Sequence, residues 1–92
     1  MILSHKNLLN LPVETKSGQN LGTISHFDLE ADEQRIFRYY VKSSRIISGL
    51  LNKELIISAG QVVSINEKKM IVEDSIGKEI KITQSDVAPV ST

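Results

Sequence analysis

The chain has 92 residues, of which 40% are hydrophobic and 24% charged, and its 11 Lys and Arg residues balance its 11 Asp and Glu residues. This length supports a single hydrophobic core, and the zero net charge excludes a global field that would steer the protein toward nucleic acid or a membrane surface. The absence of cysteine excludes a disulfide framework, thiolate zinc ligation and thiol catalysis.

The chain opens with an amino-terminal segment, residues 1–8, in which Ser4 can cap a single helical turn. The stretch from 11 to 29, LPVETKSGQNLGTISHFDL, then predicts two strands joined by a polar, glycine-containing turn at residues 16–19. Pro12 fits the start of the first strand because that position needs no hydrogen-bond donor toward a neighbouring strand.

The second of these strands does not alternate regularly between polar and apolar residues. Leu21 and Ile24 fall on opposite parities, so one face of a regular strand cannot bury both. A bulge near Ser25 and His26 repairs the pattern, and Gly22 marks a point where a strongly curved sheet can bend. Short, bent strands of this kind predict a small barrel.

A third strand is predicted over residues 35–42, after the acidic loop 30–34. One face of this strand carries Phe37, Tyr39 and Val41, and the other carries Ile36, Arg38, Tyr40 and Lys42. Because two cations at mid-strand are costly to bury unpaired, we expect the Phe37 face to point into the core. Truncating a buried Phe to Ala typically costs about 3–5 kcal/mol, so we expect Phe37→Ala to unfold most of the domain.

Residues 43–53, SSRIISGLLNK, show no sustained alternation, and Gly49 interrupts a helical interpretation. The segment nevertheless contains the four aliphatic residues Ile46, Ile47, Leu50 and Leu51. Because connecting segments are usually polar and lie at the surface, these side chains form either a lid over the core or a contact surface for another molecule.

The rest of the chain predicts further short strands separated by turns. We expect strands at 54–57, 62–65, 70–74 and 78–83, a turn or short helical turn at 58–61, a hairpin turn at 66–69, and a tail, 84–92, with an edge strand around 87–90. The expected core residues are Ile24, Phe27, Phe37, Tyr39, Val41, Leu55, Ile57, Val63, Ile65, Ile71 and Val72. Turn signals at roughly ten-residue spacing are typical of an all-β barrel or sandwich.

The stretch LPVETKSGQNLGTISHFDLE, with RIFRYYVKSS, GLLNKELIISAGQVVSI and MIVED after it, resembles the PRC-barrel domain family over about residues 9–74. The family pattern is a Leu-Pro/Gly-Val strand, a glycine turn, Leu/Ile-Gly-x-Ile/Val and an acidic turn. The resemblance implies a small all-β barrel of about six or seven short, bent strands, with at most one or two short helical turns, over residues 9–83.

The same resemblance implies a domain that works by contact with other molecules. PRC-barrel domains occur in the cytoplasmic subunit of photosynthetic reaction centres and in a ribosome-maturation factor that binds a small-subunit ribosomal protein. The transmembrane helix of the first and the amino-terminal barrel of the second have no counterpart in this sequence.

No catalytic, cofactor-binding or metal-binding set is recognisable. His5 and His26, the two histidines, do not have a metal-ligand spacing. The motif DLEAD, residues 28–32, is spaced like the first ligands of an EF-hand, but it lacks the following glycine, and Tyr39 occupies the position of the bidentate Glu. Neither a GxSxG motif nor a phosphate loop is present. We therefore expect no enzyme, no metal and no cofactor.

Two functional hypotheses remain. The first is a non-catalytic protein-interaction module, an adaptor or a homodimer, because clustered exposed aliphatic residues mark contact surfaces. The second is an RNA- or ribosome-associated factor that uses a basic face within residues 35–53, unless the cations there pair with the acidic loop. The candidate interaction residues are Ile46, Ile47, Leu50, Leu51, Arg38, Tyr40 and Arg45.

The sequence also indicates a compartment. The amino terminus lacks the basic region and the longer apolar run of a secretory signal. The chain contains nothing close to the ~20 consecutive apolar residues of a membrane span. We therefore expect a cytoplasmic protein.

Overall fold

The computed structural model describes residues 1–43 and 54–76. Its elements are α1 (His5–Leu8), β1 (Pro12–Thr15), β2 (Asn20–Glu30), β3 (Arg35–Lys42), β4 (Glu54–Ser58), a 3-10 turn (Ala59–Gln61), β5 (Val62–Ile65) and β6 (Met70–Val72). The predicted bounds of β3 and β5 are confirmed, as are the turns at 16–19 and 66–69. The expected strand at 78–83 and the tail 84–92 lie outside the described residues.

The six strands form one sheet in the order β4-β3-β2-β1-β6-β5. Neighbours are antiparallel except β1 and β6, which pair in parallel through Val13–Met70, Glu14–Ile71 and Thr15–Val72. This pairing brings the beginning and the end of the described chain together. The predicted all-β fold is confirmed, and the described strands form an open sheet with β4 and β5 at its edges.

Side-chain hydrogen bonds fix two connecting parts of the chain, the helical turn α1 before β1 and the turn between β1 and β2. Ser4 caps α1 by accepting a hydrogen bond from the Asn7 main-chain N–H, and the Asn7 side chain accepts one from Ser4 in return. The β1–β2 turn is fastened to the chain after β6, because Ser17 donates from its main-chain nitrogen and its hydroxyl to Asp74 Oδ1, at 2.9 and 3.0 Å. These two hydrogen bonds hold the pKa of the Asp74 carboxyl below its usual value.

The irregularity predicted in β2 is confirmed. The β2–β3 register shifts between Ile24 and His26. Gly22 has a φ of +132°, and a Cβ added there would lie 2.0 Å from the main-chain oxygen of Lys42. Only glycine therefore lets the two backbones approach each other at this bend.

The core lies on one side of the sheet. Its buried residues are Leu11, Val13, Leu21, Ile24, Tyr39, Val41, Ile57, Met70, Val72 and Ile76. Five of these, Ile24, Tyr39, Val41, Ile57 and Val72, were predicted from the sequence. Among the other predicted core residues, Phe27, Leu55 and Ile65 are half-buried against this cluster, and Ile71 is only partly buried.

The prediction that Val63 lies in the core is wrong. This side chain is 46% exposed. The β5–β6 register shifts between Val62 and Ser64, and Val62 and Ile65 are the β5 residues that pack against the core. Strict alternation along the sequence could not place this irregularity.

The prediction for Phe37 is also wrong, for the same kind of reason. A second register shift lies between Asp28 and Leu29, where Asp28 pairs with Arg38 but Leu29 pairs with Ile36. Phe37 is the extra residue of β3 at this point and is 54% exposed, whereas Ile36 packs against the core. The bulge thus reverses the inward and outward positions at the start of β3, and Phe37 cannot be a core anchor.

Within residues 1–43 and 54–76, no helix is long and apolar enough to cross a membrane.

Candidate interaction surface on the outer face of the sheet

Strands β2, β3 and β4 present a continuous surface on the side opposite the core. Cross-strand pairs place Asp28 beside Arg38, and Tyr40 between His26 and Ile56. The bulge in β3 turns Phe37 to this side as well, where the guanidinium of Arg38 lies over its ring. We call this surface the outer face; its residues are Ser25, His26, Asp28, Phe37, Arg38, Tyr40, Glu54 and Ile56.

Tyr40 occupies the centre of the outer face and is held from two directions. Its ring stacks on His26, with 4.1 Å between ring centroids and 16° between planes. Its hydroxyl donates a 2.6 Å hydrogen bond to Asp28 Oδ2. This hydrogen bond is the main reason that the pKa of the Tyr40 phenol is raised above its ordinary value. The phenol therefore stays neutral and its position is fixed.

Arg38 is neutralised within the same surface. Its Nε lies 2.9 Å from Asp28 Oδ2, at ion-pair distance, although the N–H is not aligned for a hydrogen bond. The guanidinium carbon is 4.9 Å from the centroid of the Phe37 ring, a cation–π arrangement. Asp28 consequently bridges Arg38 and Tyr40, and the three side chains hold one another in place.

Ser25, His26 and Glu54 form a polar group next to the stacked rings. The Ser25 hydroxyl donates to Glu54 Oε2 at 2.6 Å and lies 3.1 Å from His26 Nδ1, while Glu54 Oε2 is 3.6 Å from the same nitrogen. In a nucleophilic triad the hydroxyl and the carboxylate contact opposite nitrogens of the imidazole. Here both contact Nδ1, so the group does not have triad geometry. It instead fastens the β2 bulge to β4.

Two large apolar side chains flank Tyr40. Phe37 is 54% exposed and Ile56 is 51% exposed. The outer face is therefore a strip of aromatic and aliphatic surface with internally paired polar groups. This combination of apolar centre, Tyr and Arg is typical of protein-contact surfaces.

The charge distribution bears on the predicted basic face. Both arginines of the described chain are close to a carboxylate, with Arg35 Nε 2.8 Å from Glu33 Oε1 and Arg38 paired with Asp28. In the part of the chain that the structure describes, these cations are thus already paired with acids.

The structure brings together two of the candidate interaction residues, Arg38 and Tyr40. The other five, Ile46, Ile47, Leu50, Leu51 and Arg45, lie outside the described residues. Sequence reasoning missed His26, Asp28, Phe37 and Ile56 as parts of this surface. Alternation in β4 gave a signal for Ile56, because its neighbours Leu55 and Ile57 were assigned inward.

The described ranges contain no group of three or more His, Asp or Glu side chains arranged to hold a metal ion.

Comparison with known proteins defines the family. The PRC-barrel domain model matches residues 2–79, so the chain belongs to the PRC-barrel domain family, as the sequence resemblance indicated. The structure is similar to that of RimM from Pseudomonas aeruginosa, described as a 16S ribosomal RNA processing protein, with a TM-score of 0.55 and 25% sequence identity. The match covers 77% of this chain and 43% of that protein, so this chain spans less than half of RimM. No curated protein matches the sequence.

Proposed function

We propose that the protein is a non-catalytic interaction module that binds a protein partner through the outer face. The observation that carries this proposal is the exposure of Phe37 and Ile56 on either side of the fixed His26–Tyr40 stack. Membership of the PRC-barrel domain family supports a role in contact rather than in catalysis.

The energetics favour a protein as the bound molecule. Complete burial of a Phe or Ile side chain contributes roughly 1.5–3 kcal/mol, and both side chains have about half of their surface still to bury. Tyr40 is already held by Asp28 and His26, so a partner would immobilise few additional rotatable bonds. A nucleic acid would instead need cations free to neutralise phosphates, and Arg35 and Arg38 are paired.

Affinity capture from the native cell tests this proposal with three variants. Phe37→Asp and Ile56→Asp place a charge on the outer face, whereas Val63→Asp places one at a similarly exposed site on β5, at the far edge of the sheet. All three variants should keep a wild-type circular dichroism spectrum. We expect Phe37→Asp and Ile56→Asp to lose the captured protein, and Val63→Asp to retain it after nuclease treatment. Loss on nuclease treatment, or equal loss with Val63→Asp, would contradict the proposal.

A second candidate function is ribosome-associated, and the similarity to RimM favours it. In this form the partner is the small ribosomal subunit or a protein on it, and residues 35–53, including Arg38, Tyr40 and Arg45, are proposed to contact RNA. Co-sedimentation with purified small subunits over a salt series tests the idea. A direct RNA contact weakens steeply with salt because counterions are released. A pellet free of the protein at every salt concentration would exclude this function.

Self-association is a further proposal and concerns the segment 43–53. We propose that some of its four aliphatic side chains, Ile46, Ile47, Leu50 and Leu51, form the centre of a two-fold interface with Arg45 at the rim. Ile47→Asp or Leu50→Asp should then weaken the dimer in sedimentation experiments, with at least one of them leaving the fold intact. A wild-type protein that is monomeric at every concentration would exclude the dimer. The proposed compartment for all these functions is the cytoplasm.

A further inference from the structure

The outer face does not have the same charge along its whole length. At the β2–β3 hairpin end, beyond Phe37, the chain passes through Glu30, Asp32 and Glu33 before it reaches Arg35. Arg35 pairs with Glu33. Glu30 accepts a hydrogen bond from the Glu33 main-chain N–H at 3.0 Å, and Asp32 is exposed. Within residues 1–43 and 54–76, no Lys or Arg forms an ion pair with either carboxylate. Three acids against one base give residues 30–35, the hairpin end, a net charge of −2.

Of the two other described cations of β3, Arg38 lies next to Phe37 but is paired with Asp28, and Lys42 is distant from the acidic end. Lys42 lies at the opposite end of the strand, and residues 44–53 also join the described chain there, at Ser43 and Glu54. Seven residue steps at about 3.3 Å each place Arg35 about 23 Å from Lys42. Salt screens charges over about 8 Å under physiological conditions. A ligand at the hairpin end therefore meets the local negative charge together with the exposed Phe37.

From this arrangement we propose that the hairpin end of the outer face docks a basic, extended segment of a protein, whose apolar side chain packs on Phe37 while its Lys or Arg residues face Glu30 and Asp32. This inference rests on the proposed function and specifies its partner class. Phe37 supplies the apolar contact, and the carboxylates select positive over negative ligands. An RNA strand is disfavoured at this site because its phosphates would face the carboxylates of Glu30 and Asp32.

Fluorescence anisotropy with synthetic probes tests the docking. The probes are a labelled peptide of alternating Lys and Leu, one of alternating Lys and Ser, one of alternating Glu and Leu, and an oligouridine RNA. We expect wild-type protein to bind the Lys-Leu peptide best. Equal or tighter binding of the Lys-Ser peptide, the Glu-Leu peptide or the RNA overturns the proposal.

Matched variants distinguish binding at the hairpin end from a general attraction of the basic peptide to acidic residues anywhere on the protein. Glu30→Gln/Asp32→Asn and Glu67→Gln/Glu73→Gln remove the same charge, the second pair at exposed positions outside β2 and β3. We expect the first pair to weaken Lys-Leu binding about tenfold and Phe37→Ala to weaken it about fivefold, with little change for the second pair. Equal weakening by both pairs, or no effect of Phe37→Ala, overturns the proposal.

The cellular experiment distinguishes failure of this inference from failure of the proposed function. If Ile56→Asp abolishes capture of the partner but Glu30→Gln/Asp32→Asn leaves capture unchanged, the outer face remains a binding surface and docking at the hairpin end is wrong. If capture depends on both, the docking is supported in the cell.

Discussion

Gly22 controls the bend of β2. Its φ of +132° and the 2.0 Å approach of the Lys42 oxygen to an added Cβ leave no room for a side chain. We predict that Gly22→Ala lowers the free energy of unfolding by about 2 kcal/mol or more, since both backbone strain and a main-chain clash oppose it. Urea denaturation followed by circular dichroism measures the change.

Gly60→Ala is the matched control. Gly60 does not have a positive φ, and nothing lies within 4 Å of an added Cβ. This variant should stay within about 0.5 kcal/mol of the wild type. If the two alanine variants lose the same stability, the close approach of β2 and β3 at Gly22 is not as described.

The carboxyl group of Asp74 makes the stability of the folded chain depend on pH in the acid range. Because hydrogen bonds from Ser17 lower its pKa, the carboxyl binds a proton less tightly in the folded than in the unfolded chain. Its contribution is therefore complete above the unfolded value of 3.8 and disappears as the pH falls through the lower folded value. We predict that the difference in Tm between wild type and Asp74→Asn, present at neutral pH, narrows as the pH falls below 3.8.

Asp32→Asn controls for the loss of a carboxylate as such. Asp32 lies exposed in the β2–β3 turn, so the Tm of this variant at neutral pH should stay close to that of the wild type. A difference between wild type and Asp74→Asn that does not change with pH would show that the Ser17–Asp74 contact does not stabilise the folded state through the carboxylate charge.

At the scale of elements, β3 shows that a bulge changes which side chains of a strand point into the core. Odd and even positions in the sequence then no longer predict which side chains are exposed. Phe37 is the larger side chain, yet it is more than half exposed, whereas Ile57 on β4 is fully buried. We predict that Phe37→Ala changes the free energy of unfolding by less than about 1 kcal/mol, because an exposed side chain leaves no cavity. Ile57→Ala should cost about 2–5 kcal/mol. Thermal denaturation of both variants makes the comparison.

A large loss of stability with Phe37→Ala would show that Phe37 is buried in the core after all and does not belong to the outer face. We expect the same variant to weaken the binding ascribed to that face while its stability stays close to that of the wild type.

Local sequence patterns were sufficient to predict several strand bounds, turns and one bulge. The bounds of β3 and β5, the two hairpin turns and the bulge at Ser25–His26 follow from turn residues and from a conflict of parity within one strand. The exposure of Phe37 and Val63 does not, because register shifts against neighbouring strands decide it. In both cases the apolar residue looked like part of the core although the bulge turned it outward.

At the scale of the whole molecule, pairing between distant strands sets the architecture. The parallel β1–β6 pair joins residues more than fifty positions apart, such as Val13 and Met70, and no local pattern indicates it. The family resemblance supplied the fold that the local patterns left open. Arg38 and Tyr40 were predicted as surface residues, but their partners Asp28 and His26 became visible only with the β2–β3 register.

The central claim is that the outer face, and not the opposite edge of the sheet, contacts a protein. Photo-crosslinking in the native cell tests it most directly, with benzoylphenylalanine placed singly at position 37, 56 or 63. These three sites hold exposed apolar residues, two on the outer face and one on β5. The account predicts protein adducts from positions 37 and 56 and none from 63. RNA adducts from position 37, or a protein adduct from position 63 as strong as that from 37, would contradict it.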